Sequence, residues 1–291
     1  MARLLTPDSA IEALEEIVIK PASKVVTPTL GCVIADKSES NKSDWIYLKQ
    51  LIKCANRYGA EIETLSCSDL QDAYKNISTL KNNSRIDGII ILSSFKKGDD
   101  QFLKNYIPMP LDIDCASAVS LGHMLYDRSE TFYRGAPCTA GAIYKLLTYN
   151  DVDVAGKRVG VVGRSPRVGR PVSQLMSIAN ATVTLYHSKS DLSYFTQEDI
   201  VISAIGKPKF LKANLFREGQ VVVDAGINVD ENGKLCGDVD YDEVCKVLGD
   251  SGAITPVPNG VGPLTNVVLF SKLFANKYTL RGYTFSRGVN S

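Results

Sequence analysis

Histidine and tryptophan are scarce in this chain of 291 residues, which contains two histidines and one tryptophan. His123 and His187 alone cannot build a multi-histidine metal centre, so no metal site is expected. The seven cysteines are scattered, and no two of them form a C-x-x-C pair. An odd, unpatterned set is typical of reduced thiols in a cytosolic protein and supports neither a disulfide framework nor a zinc site.

An excess of charge of either sign is also missing, since 33 basic and 32 acidic residues leave a net charge of +1. Nucleic-acid binding driven by bulk charge is therefore not expected. No apolar run approaches the roughly 20 residues that a membrane-spanning helix needs. Met1–Asp8 has no long apolar core before a cleavage site, so we expect no signal peptide. These absences predict a cytoplasmic protein without a membrane partner.

Strand-like and helix-like segments alternate through the first half of the chain. Apolar runs predict strands at Thr27–Ala35, Glu61–Leu65 and Ile86–Leu92, and helical spacing predicts helices at Trp45–Tyr58 and Leu70–Asn82. Strands that are apolar on both faces and alternate with helices indicate a parallel sheet covered on both sides. The segment from Ser94 to Arg134 gives no clear pattern, because Pro108 and Pro110 interrupt it.

One stretch in the second half resembles a nucleotide-binding turn. Lys157–Pro171 reads K-R-V-G-V-V-G-R-S-P-R-V-G-R-P, which is a short apolar strand, a tight turn at Gly163 and the start of a helix. In that arrangement the N–H groups of the helix N-terminus point at a phosphate. Gly169 fits the usual glycine fingerprint, but Ser165 stands where that fingerprint has its middle Gly. A plain strand–helix turn is the alternative interpretation.

The remaining strands of the second half predict a second α/β sheet over residues 150–260. They lie at Ala181–Tyr186, Ile200–Ala204 and Val221–Asp224. A helix is expected at Leu264–Tyr278, and a connecting helix at Thr139–Tyr149 marks a domain boundary. The predicted fold class is therefore α/β, with two α/β domains around a cleft, the second being a Rossmann-type NAD(P)-binding domain.

The choice of nucleotide depends on the residues after the second strand of that domain. An acidic residue about 20 positions after the first Gly would bind the ribose hydroxyls of NAD. Here the chain continues as His187-Ser188-Lys189-Ser190, with no carboxylate until Asp191. Arg164, Ser188 and Lys189 offer charge and hydrogen-bond donors to a 2′-phosphate instead. We expect NADP, with NAD still possible and ordinary surface charges as the alternative interpretation.

Four separated strings together resemble the methylenetetrahydrofolate dehydrogenase/cyclohydrolase family of bifunctional one-carbon folate enzymes. They are G-R-S-P-R-V-G-R-P at 163–171, D-A-G-I-N at 224–228, G-D-V at 237–239 and I-T-P-V-P-N-G-V-G-P-L-T at 254–265. The second half of the chain matches that family closely and the first half weakly.

This resemblance implies domains at 1–145 (folate binding and catalysis, completed by a C-terminal helix at 264–291) and 146–263 (NADP binding), a tetrahydrofolate substrate and a homodimer. It assigns cofactor binding to Gly163, Arg164, Ser165, Ser188, Ile227 and Thr265. It assigns substrate binding to Tyr47, Ile91, Leu92, Asp114, Pro258, Gly260, Val261 and Gly262. Tyr47 and Asp114 are the candidate catalytic residues, although a core tyrosine and a solvated loop carboxylate are the alternatives.

The first half departs from the family where the family carries its catalytic lysine. The family helix contains Tyr-x-x-x-Lys, and counting back from Gly59 places Tyr47 on the Tyr and Leu51 on the Lys. At 100° per residue, Lys49 and Lys53 point away from the face that carries Tyr47. Only a shifted register would place a lysine on that face.

Two further family strings are also altered. The family strand ends in D-G-I-x-V-Q-L-P, whereas Asp87–Ser94 reads D-G-I-I-I-L-S-S, which places Leu92 on the Gln and Ser94 on the Pro. In the family's D-V-D-G string, Asp114 keeps the Asp and Cys115 replaces the Gly. Two other replacements are Asn259 for a Gly and Ala140 for a Pro.

These residues predict which chemistry survives. Hydride transfer from the methylene bridge of the folate needs close approach and orientation, but no proton is removed. Cyclohydrolysis needs a positioned acid–base group, so without the lysine we expect that step to be weak or absent. A catalytically silent nucleotide-binding homologue and a dehydrogenase with a changed substrate are the alternatives.

Overall fold

The computed structural model describes residues 1–92, 95, 99–126 and 135–281. Its strands are β1 (Arg3–Leu4), β2 (Thr29–Ala35), β3 (Glu61–Cys67), β4 (Ile86–Ile91), β5 (Arg158–Val162), β6 (Thr182–Tyr186), β7 (Ile200–Ser203), β8 (Val221–Asp224), β9 (Asn228–Val229), β10 (Leu235–Cys236) and β11 (Ala253–Ile254). Its α-helices are α1 (Asp8–Leu14), α2 (Lys20–Ser23), α3 (Lys42–Tyr58), α4 (Leu70–Lys81), α5 (Asp99–Asn105), α6 (Ala118–Tyr126), α7 (Cys138–Thr148), α8 (Gly169–Ile178), α9 (Tyr241–Leu248) and α10 (Val261–Leu280). A π-helical segment, Glu15–Ile19, joins α1 to α2.

A three-stranded parallel sheet, in the order β3-β2-β4, is the centre of one unit. β2 and β4 are buried along almost their whole length, as their continuous apolar runs predict. β3, at one edge of the sheet, is exposed or half-buried up to Ser66, and Cys67 at its end is buried. The apolar side chains of α4 pack on this sheet and fill the core of the unit.

Helix α3 illustrates how local sequence determines an element of this unit. Its buried residues are Leu48, Leu51, Ala55 and Tyr58, which recur every three or four positions and so form one stripe. The helix ends at Gly59, whose φ of 75° lies in the left-handed region that glycine tolerates. The predicted end of this helix is therefore observed, while its start lies three residues earlier than predicted.

A six-stranded sheet, in the order β1-β11-β8-β7-β5-β6, is the centre of the other unit. All neighbouring pairs in it are parallel. The chain passes from β5 outward to β6 and then returns to β7 on the other side of β5, so the strand order reverses at β5 and β7. In open α/β sheets, ligands bind beyond the carboxyl ends of the strands at such a reversal.

The chain divides into two compact units, each made of two separate segments. One unit comprises Met1–Glu12 and Pro137–Thr265, and the other comprises Ala13–Ala136 and the residues from Asn266 onward. The first residues join the six-stranded sheet because Arg3 donates to the carbonyl of Gly252 at 2.8 Å. Helix α7 belongs to the same unit because it packs against α8.

Several of the observed helices, among them α5, α6 and α9, were not predicted. Helices α5 and α6 lie in the segment that the two prolines make hard to interpret, and α9 lies between two short strands. β1 and β11 have only two residues each, which is too short for a periodic pattern to be visible.

Candidate functional site

The turn after β5 depends on the absence of a side chain at Gly163. Its φ is 110°, and a Cβ placed there would lie 2.2 Å from the carbonyl oxygen of Ala204, just beyond β7. Its N–H donates to the carbonyl of Tyr186 at the end of β6. The turn therefore lies against the ends of both neighbouring strands, at the reversal of strand order.

The start of α8 lies equally close to this turn. A Cβ on Gly169 would lie 2.0 Å from the carbonyl oxygen of Gly163, so only glycine permits this approach. The predicted strand, turn and helix are thus present, with both glycines at positions of close backbone contact. The N-terminus of α8 is brought to the carboxyl edge of the sheet, where an anion would meet its positive dipole.

Ser165 closes the turn in place of the usual middle glycine. Its Oγ accepts the N–H of Val168 at 3.2 Å, and its carbonyl accepts the N–H of Arg170 at 3.1 Å. Ser165 is exposed, and so is Arg164 beside it. A serine here therefore stabilises the turn from within and leaves the arginine directed to solvent.

A second tight turn follows β6 at the same edge of the sheet. The N–H of Lys189 donates to Nδ1 of His187 at 3.1 Å, and the N–H of His187 donates to Oγ of Ser190 at 3.0 Å. Ser188 and Lys189 are exposed. Since β5 and β6 are adjacent and parallel, this turn lies at the same edge as the turn after β5.

Two buried carboxylates hold the loops that follow β7 and β8. Asp224 accepts the backbone N–H groups of Gly226, Asp238 and Val239 at 2.8 to 3.1 Å. Its own N–H donates to Oγ1 of Thr255 at 2.8 Å. Burial raises the pKa of the Asp224 carboxyl to about 6, although the three N–H groups oppose that rise.

Asp238 is the second carboxylate and is fully buried. It accepts hydrogen bonds from Oγ of Ser203, the N–H groups of Ile205 and Lys207, and Nδ2 of Asn228, all at 2.7 to 2.9 Å. The D-A-G-I-N and G-D-V strings are therefore structural: their carboxylates fasten loops at the nucleotide edge. The sequence displayed these strings, but it gave no sign that the two carboxylates are neighbours.

Gly226 and Gly237 of these strings are required because a side chain at either position would collide with one of these two carboxylates. A Cβ on Gly226 would lie 2.4 Å from Cγ of Asp238, and one on Gly237 would lie 1.9 Å from Oδ2 of Asp224. The loop they shape presents Ile227, which is 70% exposed. An exposed apolar side chain on a rigid loop suits contact with a flat ring of a ligand.

The turn before α10 is equally constrained. Asn259, which replaces a family Gly, keeps a left-handed φ of 76°, a conformation that asparagine tolerates better than most residues. A Cβ on Gly260 would lie 2.4 Å from the carbonyl oxygen of Pro256. Oγ1 of Thr265 donates to the carbonyl of Val261 at 3.0 Å.

The structure brings some predicted residues of this unit together. A Cβ on Gly262 would lie 3.8 Å from Cδ1 of Ile227, so the turn before α10 adjoins the loop after β8. Val261 is buried, while Pro258 is exposed. Gly163, Arg164, Ser165 and Ser188 lie at the carboxyl edge of the same sheet.

Tyr47, Ile91, Leu92 and Asp114 belong to the other unit. On α3, Leu51 is fully buried and Tyr47 is half-buried, while Lys49 and Lys53 are exposed. Neither lysine therefore shares the buried face with Leu51, in agreement with the helix geometry predicted from the sequence. Ile91 and Leu92 are buried at the end of β4, and Ser94 lies outside the described residues.

Asp114 is half-buried at the apex of a loop that Asp112 closes. The Asp112 carboxylate accepts the N–H groups of Ala116 and Ser117, at 3.1 and 2.9 Å. It also accepts Oγ of Ser120 at 2.6 Å. The Asp112 carboxylate thus serves to close the loop. Asp114 is the residue that matches the Asp of the family's D-V-D-G string.

Two of the residues that replace family residues have a structural explanation. Cys115 stands where the family has Gly and keeps a left-handed φ of 51°. Lys272 of α10 donates to its Sγ at 3.4 Å, a contact that the sequence did not suggest. In the other unit, Ala140 lies in the first turn of α7, where either Pro or Ala fits a helix.

Among the described residues, no helix is long and apolar enough to cross a membrane. Over the same part of the chain, no three His, Cys, Asp or Glu side chains lie close enough to hold a metal ion. None of the seven cysteines, all of which lie in the described ranges, forms a disulfide.

Comparison with known proteins places this arrangement in a family. Residues 137–279 match the model of the tetrahydrofolate dehydrogenase/cyclohydrolase NAD(P)-binding domain. A bifunctional FolD protein of Staphylococcus aureus is 35% identical over 288 residues, which cover 97% of this chain and 92% of the relative. The chain belongs to the tetrahydrofolate dehydrogenase/cyclohydrolase family.

Solved structures of this family superpose on the chain over nearly its whole length. The bifunctional FolD methylenetetrahydrofolate dehydrogenase/cyclohydrolase of Campylobacter jejuni is 29% identical, with a TM-score of 0.85, and covers 96% of this chain and 100% of its own. The Trypanosoma brucei FolD enzyme, solved with NADP and an inhibitor, is 26% identical, with a TM-score of 0.82, over 96% of this chain and 99% of its own.

These comparisons decide several of the predictions. The predicted family and the α/β fold class with a Rossmann-type NAD(P)-binding domain are confirmed. A nicotinamide dinucleotide cofactor is confirmed as well, because residues 137–279 match the NAD(P)-binding domain of the family. The roles of individual residues and the predicted domain limits stay predictions.

Proposed function

We propose that the chain oxidises 5,10-methylenetetrahydrofolate to 5,10-methenyltetrahydrofolate with NADP, and that it hydrolyses the product weakly or not at all. The dehydrogenase half of this proposal is carried by the turn at Gly163–Gly169, which is built for close approach of a dinucleotide. Family membership supports the substrate, since the Staphylococcus aureus and Campylobacter jejuni relatives are bifunctional FolD proteins.

The residues at the nucleotide edge fit a dinucleotide. Gly163 and Gly169 allow α8 to begin directly at the turn, and Ser165 shapes the turn between them. Ile227 and Thr265 would line the same edge. When bound, the nicotinamide ring supplies the carbon that accepts a hydride from the substrate. The protein contributes orientation, because no proton has to be removed in that step.

NADP is favoured over NAD by the charges at this edge. Arg164 and Lys189 are exposed beside Ser188, where a 2′-phosphate would be met by cations and donors. Asp191, the first carboxylate after β6, accepts the N–H of Ser193 at 2.9 Å and caps the following helical turn. It is therefore engaged in structure instead of being presented to a ribose. The Trypanosoma brucei relative was solved with NADP.

Asp114 is the proposed anchor of the pterin ring, and Tyr47 is proposed to contact the substrate beside it. A carboxylate can accept two hydrogen bonds from an aminopyrimidine edge, which fixes the ring in one orientation. Ile91 and Leu92 would contribute apolar contacts, and so would Pro258, Gly260, Val261 and Gly262.

The proposed loss of cyclohydrolysis follows from two leucines. Leu51 replaces the family lysine and is fully buried, while Leu92 replaces the family glutamine and is 4% exposed. Neither side chain can transfer a proton or orient a water molecule. Lys49 and Lys53, both exposed, lie on other faces of the helix and offer no substitute.

We also propose a homodimer in a reducing, cytoplasmic compartment. The dimer is implied by the family resemblance. The compartment is supported by seven cysteines that form no disulfide.

A pair of binding experiments with a turnover assay tests the dehydrogenase. NADP and a tetrahydrofolate should both bind, and methylenetetrahydrofolate should reduce NADP. Binding of the nucleotide alone would indicate a silent homologue, and turnover of another substrate without folate binding would indicate a changed specificity. Either outcome would overturn the proposal.

Gly169→Ala provides a variant for the nucleotide edge. The new Cβ would collide with the carbonyl of Gly163, so the Kd for NADP should rise about tenfold or more, a loss of about 1.4 kcal/mol or more. The matched control is Gly122→Ala in α6, where a Cβ meets nothing within 4 Å and the Kd should not change. Unfolding of both variants checks that the fold survives.

Hydrolysis of methenyltetrahydrofolate is measured separately. The unaltered protein should not accelerate it much beyond the spontaneous rate in the same buffer. Robust hydrolysis would contradict the assigned consequence of Leu51 while leaving the dehydrogenase proposal intact.

A further inference from the structure

The loop that carries Asp114 is clamped on its N-terminal side by packing. Ile113 lies directly over Gly88 of β4, where a Cβ would come within 2.0 Å of Cγ1 of Ile113. The Asp112 carboxylate, in turn, accepts the N–H groups of Ala116 and Ser117 beyond the apex. The N-terminal side of the loop that carries Asp114 is therefore fixed by the packing of Ile113 against β4.

The C-terminal side of the apex is held differently. Cys115 has a φ of 51°, a conformation that costs a residue with a Cβ about 1 to 2 kcal/mol and costs glycine almost nothing. The N–H of Cys115 donates to the carbonyl of Asp112 at 3.0 Å, which completes the tight corner. Something must compensate for the strain at a corner where the family uses Gly.

Lys272 supplies a contact at this corner. Its Nζ donates to Sγ of Cys115 at 3.4 Å and also donates to the carbonyl of Ala136. Burial raises the pKa of the Cys115 thiol, although the ammonium of Lys272 opposes that rise. The thiol therefore stays neutral at physiological pH, and its sulfur accepts the ammonium N–H as a lone-pair acceptor.

Two lysines in the second half of α10, Lys272 and Lys277, contact different partners. Lys277 forms an ion pair with the buried Asp87 and so fastens the helix to β4. Lys272, one and a half turns earlier, instead contacts the residue that follows Asp114. Lys277 and Asn276 thus hold this part of α10 to β4, and Lys272 is directed to the loop.

We propose that Lys272 is a positioning residue for the substrate. By holding Cys115 in its left-handed conformation, it fixes the direction in which Asp114 presents its carboxylate to the pterin. This inference rests on the proposed function. Cys115 and Lys272 act as a pair, in which the lysine compensates for the missing glycine.

A double-mutant cycle tests the pair. Lys272→Met should raise the KM for methylenetetrahydrofolate about tenfold, because small misplacements of a substrate anchor have effects of that order or larger. The Kd for NADP should not change. Cys115→Gly should keep a KM near that of the unaltered protein, since glycine adopts the required φ without help.

The decisive measurement is Lys272→Met in the Cys115→Gly background. In that background the rise in KM caused by Lys272→Met should shrink to about threefold or less, because the corner no longer needs the lysine. Lys272→Arg should retain much of the function, since it keeps a cationic donor at this position. Unfolding curves of all four variants separate misfolding from mispositioning.

Two results would overturn the inference. One is a KM for Lys272→Met within about twofold of the unaltered value, well below the expected change. The other is an equal loss in both backgrounds, which would mean that Lys272 acts directly on the substrate and not through Cys115. If the unaltered protein shows no turnover of methylenetetrahydrofolate, the proposed function fails instead, and the inference falls with it.

Discussion

Burial raises the pKa of the Asp224 carboxyl to about 6 from an ordinary value of 3.8. The folded protein therefore binds this proton more tightly than the unfolded chain does. The resulting contribution to stability is complete below pH 3.8 and is lost as the pH rises through about 6. The difference between the two values corresponds to about 3 kcal/mol of unfolding free energy.

Asp224→Asn should remove this dependence on pH. We expect the free energy of unfolding of the unaltered protein to fall between about pH 4 and pH 6.5 relative to that of the variant. Urea unfolding at several pH values measures the difference. Asp242→Asn, at an exposed position of α9, is the matched control and should follow the unaltered protein. Parallel curves for Asp224→Asn and the unaltered protein would contradict the assignment.

Leu51 shows that restoring a family residue is not a neutral change in this chain. Its side chain is fully buried on the stripe of α3 that also carries Leu48 and Ala55, so a lysine there would place an ammonium group in the core. Leu51→Lys should therefore lower the free energy of unfolding by about 3 kcal/mol. Ile52→Lys, at a position 40% exposed, should have little effect in the same unfolding experiment. Equal stabilities for the two variants would mean that position 51 can hydrate a charge.

Single residues also show where sequence reasoning ends. The replacement of two family glycines by Cys115 and Asn259 is visible in the sequence. That both keep a left-handed φ is not, because the strain is compensated by contacts such as that of Lys272, 157 positions away. The strings that contain Asp224 and Asp238 were likewise visible in the sequence. That the two carboxylates hold neighbouring loops was not visible, because the folded sheet brings them together.

At the scale of elements, α10 is fastened to its unit by a buried ion pair. Nζ of Lys277 lies 2.9 Å from both oxygens of the Asp87 carboxylate, and the two side chains are 14% and 6% exposed. Asp87 also accepts the N–H of Thr29 at 2.8 Å, and its carbonyl accepts Nδ2 of Asn276. Asp87 of β4 thus anchors the helix. The neighbouring Gly88 leaves room for the side chain of Ile113.

Lys277→Met should leave the Asp87 carboxylate buried without a cation. We expect the free energy of unfolding to fall by about 3 to 5 kcal/mol, as when one partner of a buried pair is removed. Chemical denaturation measures the loss. Lys246→Met, which breaks an exposed pair with Glu243, should behave like the unaltered protein. A small effect of Lys277→Met would indicate that water reaches Asp87.

Elements with long periodic patterns were predictable, and short ones were not. Helix α3 and the strands β2 and β4 were predicted to within about three residues, because each carries a clear apolar pattern. β9 and β10 are antiparallel strands of two residues each, and β1 pairs only at Arg3 and Leu4. Such short strands are defined by their partner strand and not by their own sequence.

At the scale of the whole molecule, alternation of strands and helices was enough to predict two parallel α/β sheets. The predicted first domain combined residues 1–145 with a C-terminal helix at 264–291, and each observed unit likewise takes segments from two separate parts of the chain. The sequence could not reveal that the first residues join the six-stranded sheet, because the pairing of Arg3 with Ala253 depends on contacts far apart in the chain.

That pairing has a consequence for synthesis on the ribosome. β1 emerges first but cannot pair until β11 follows some 250 positions later, a wait of roughly 10 to 50 seconds at ordinary elongation rates. Asp87 likewise waits for Lys277, which is 190 positions further on. Nascent chains arrested before α10 emerges should be cut by protease within residues 13–136 more readily than chains released past residue 281. Until α10 emerges, the Asp87 carboxylate of β4 has no ammonium from Lys277 to pair with.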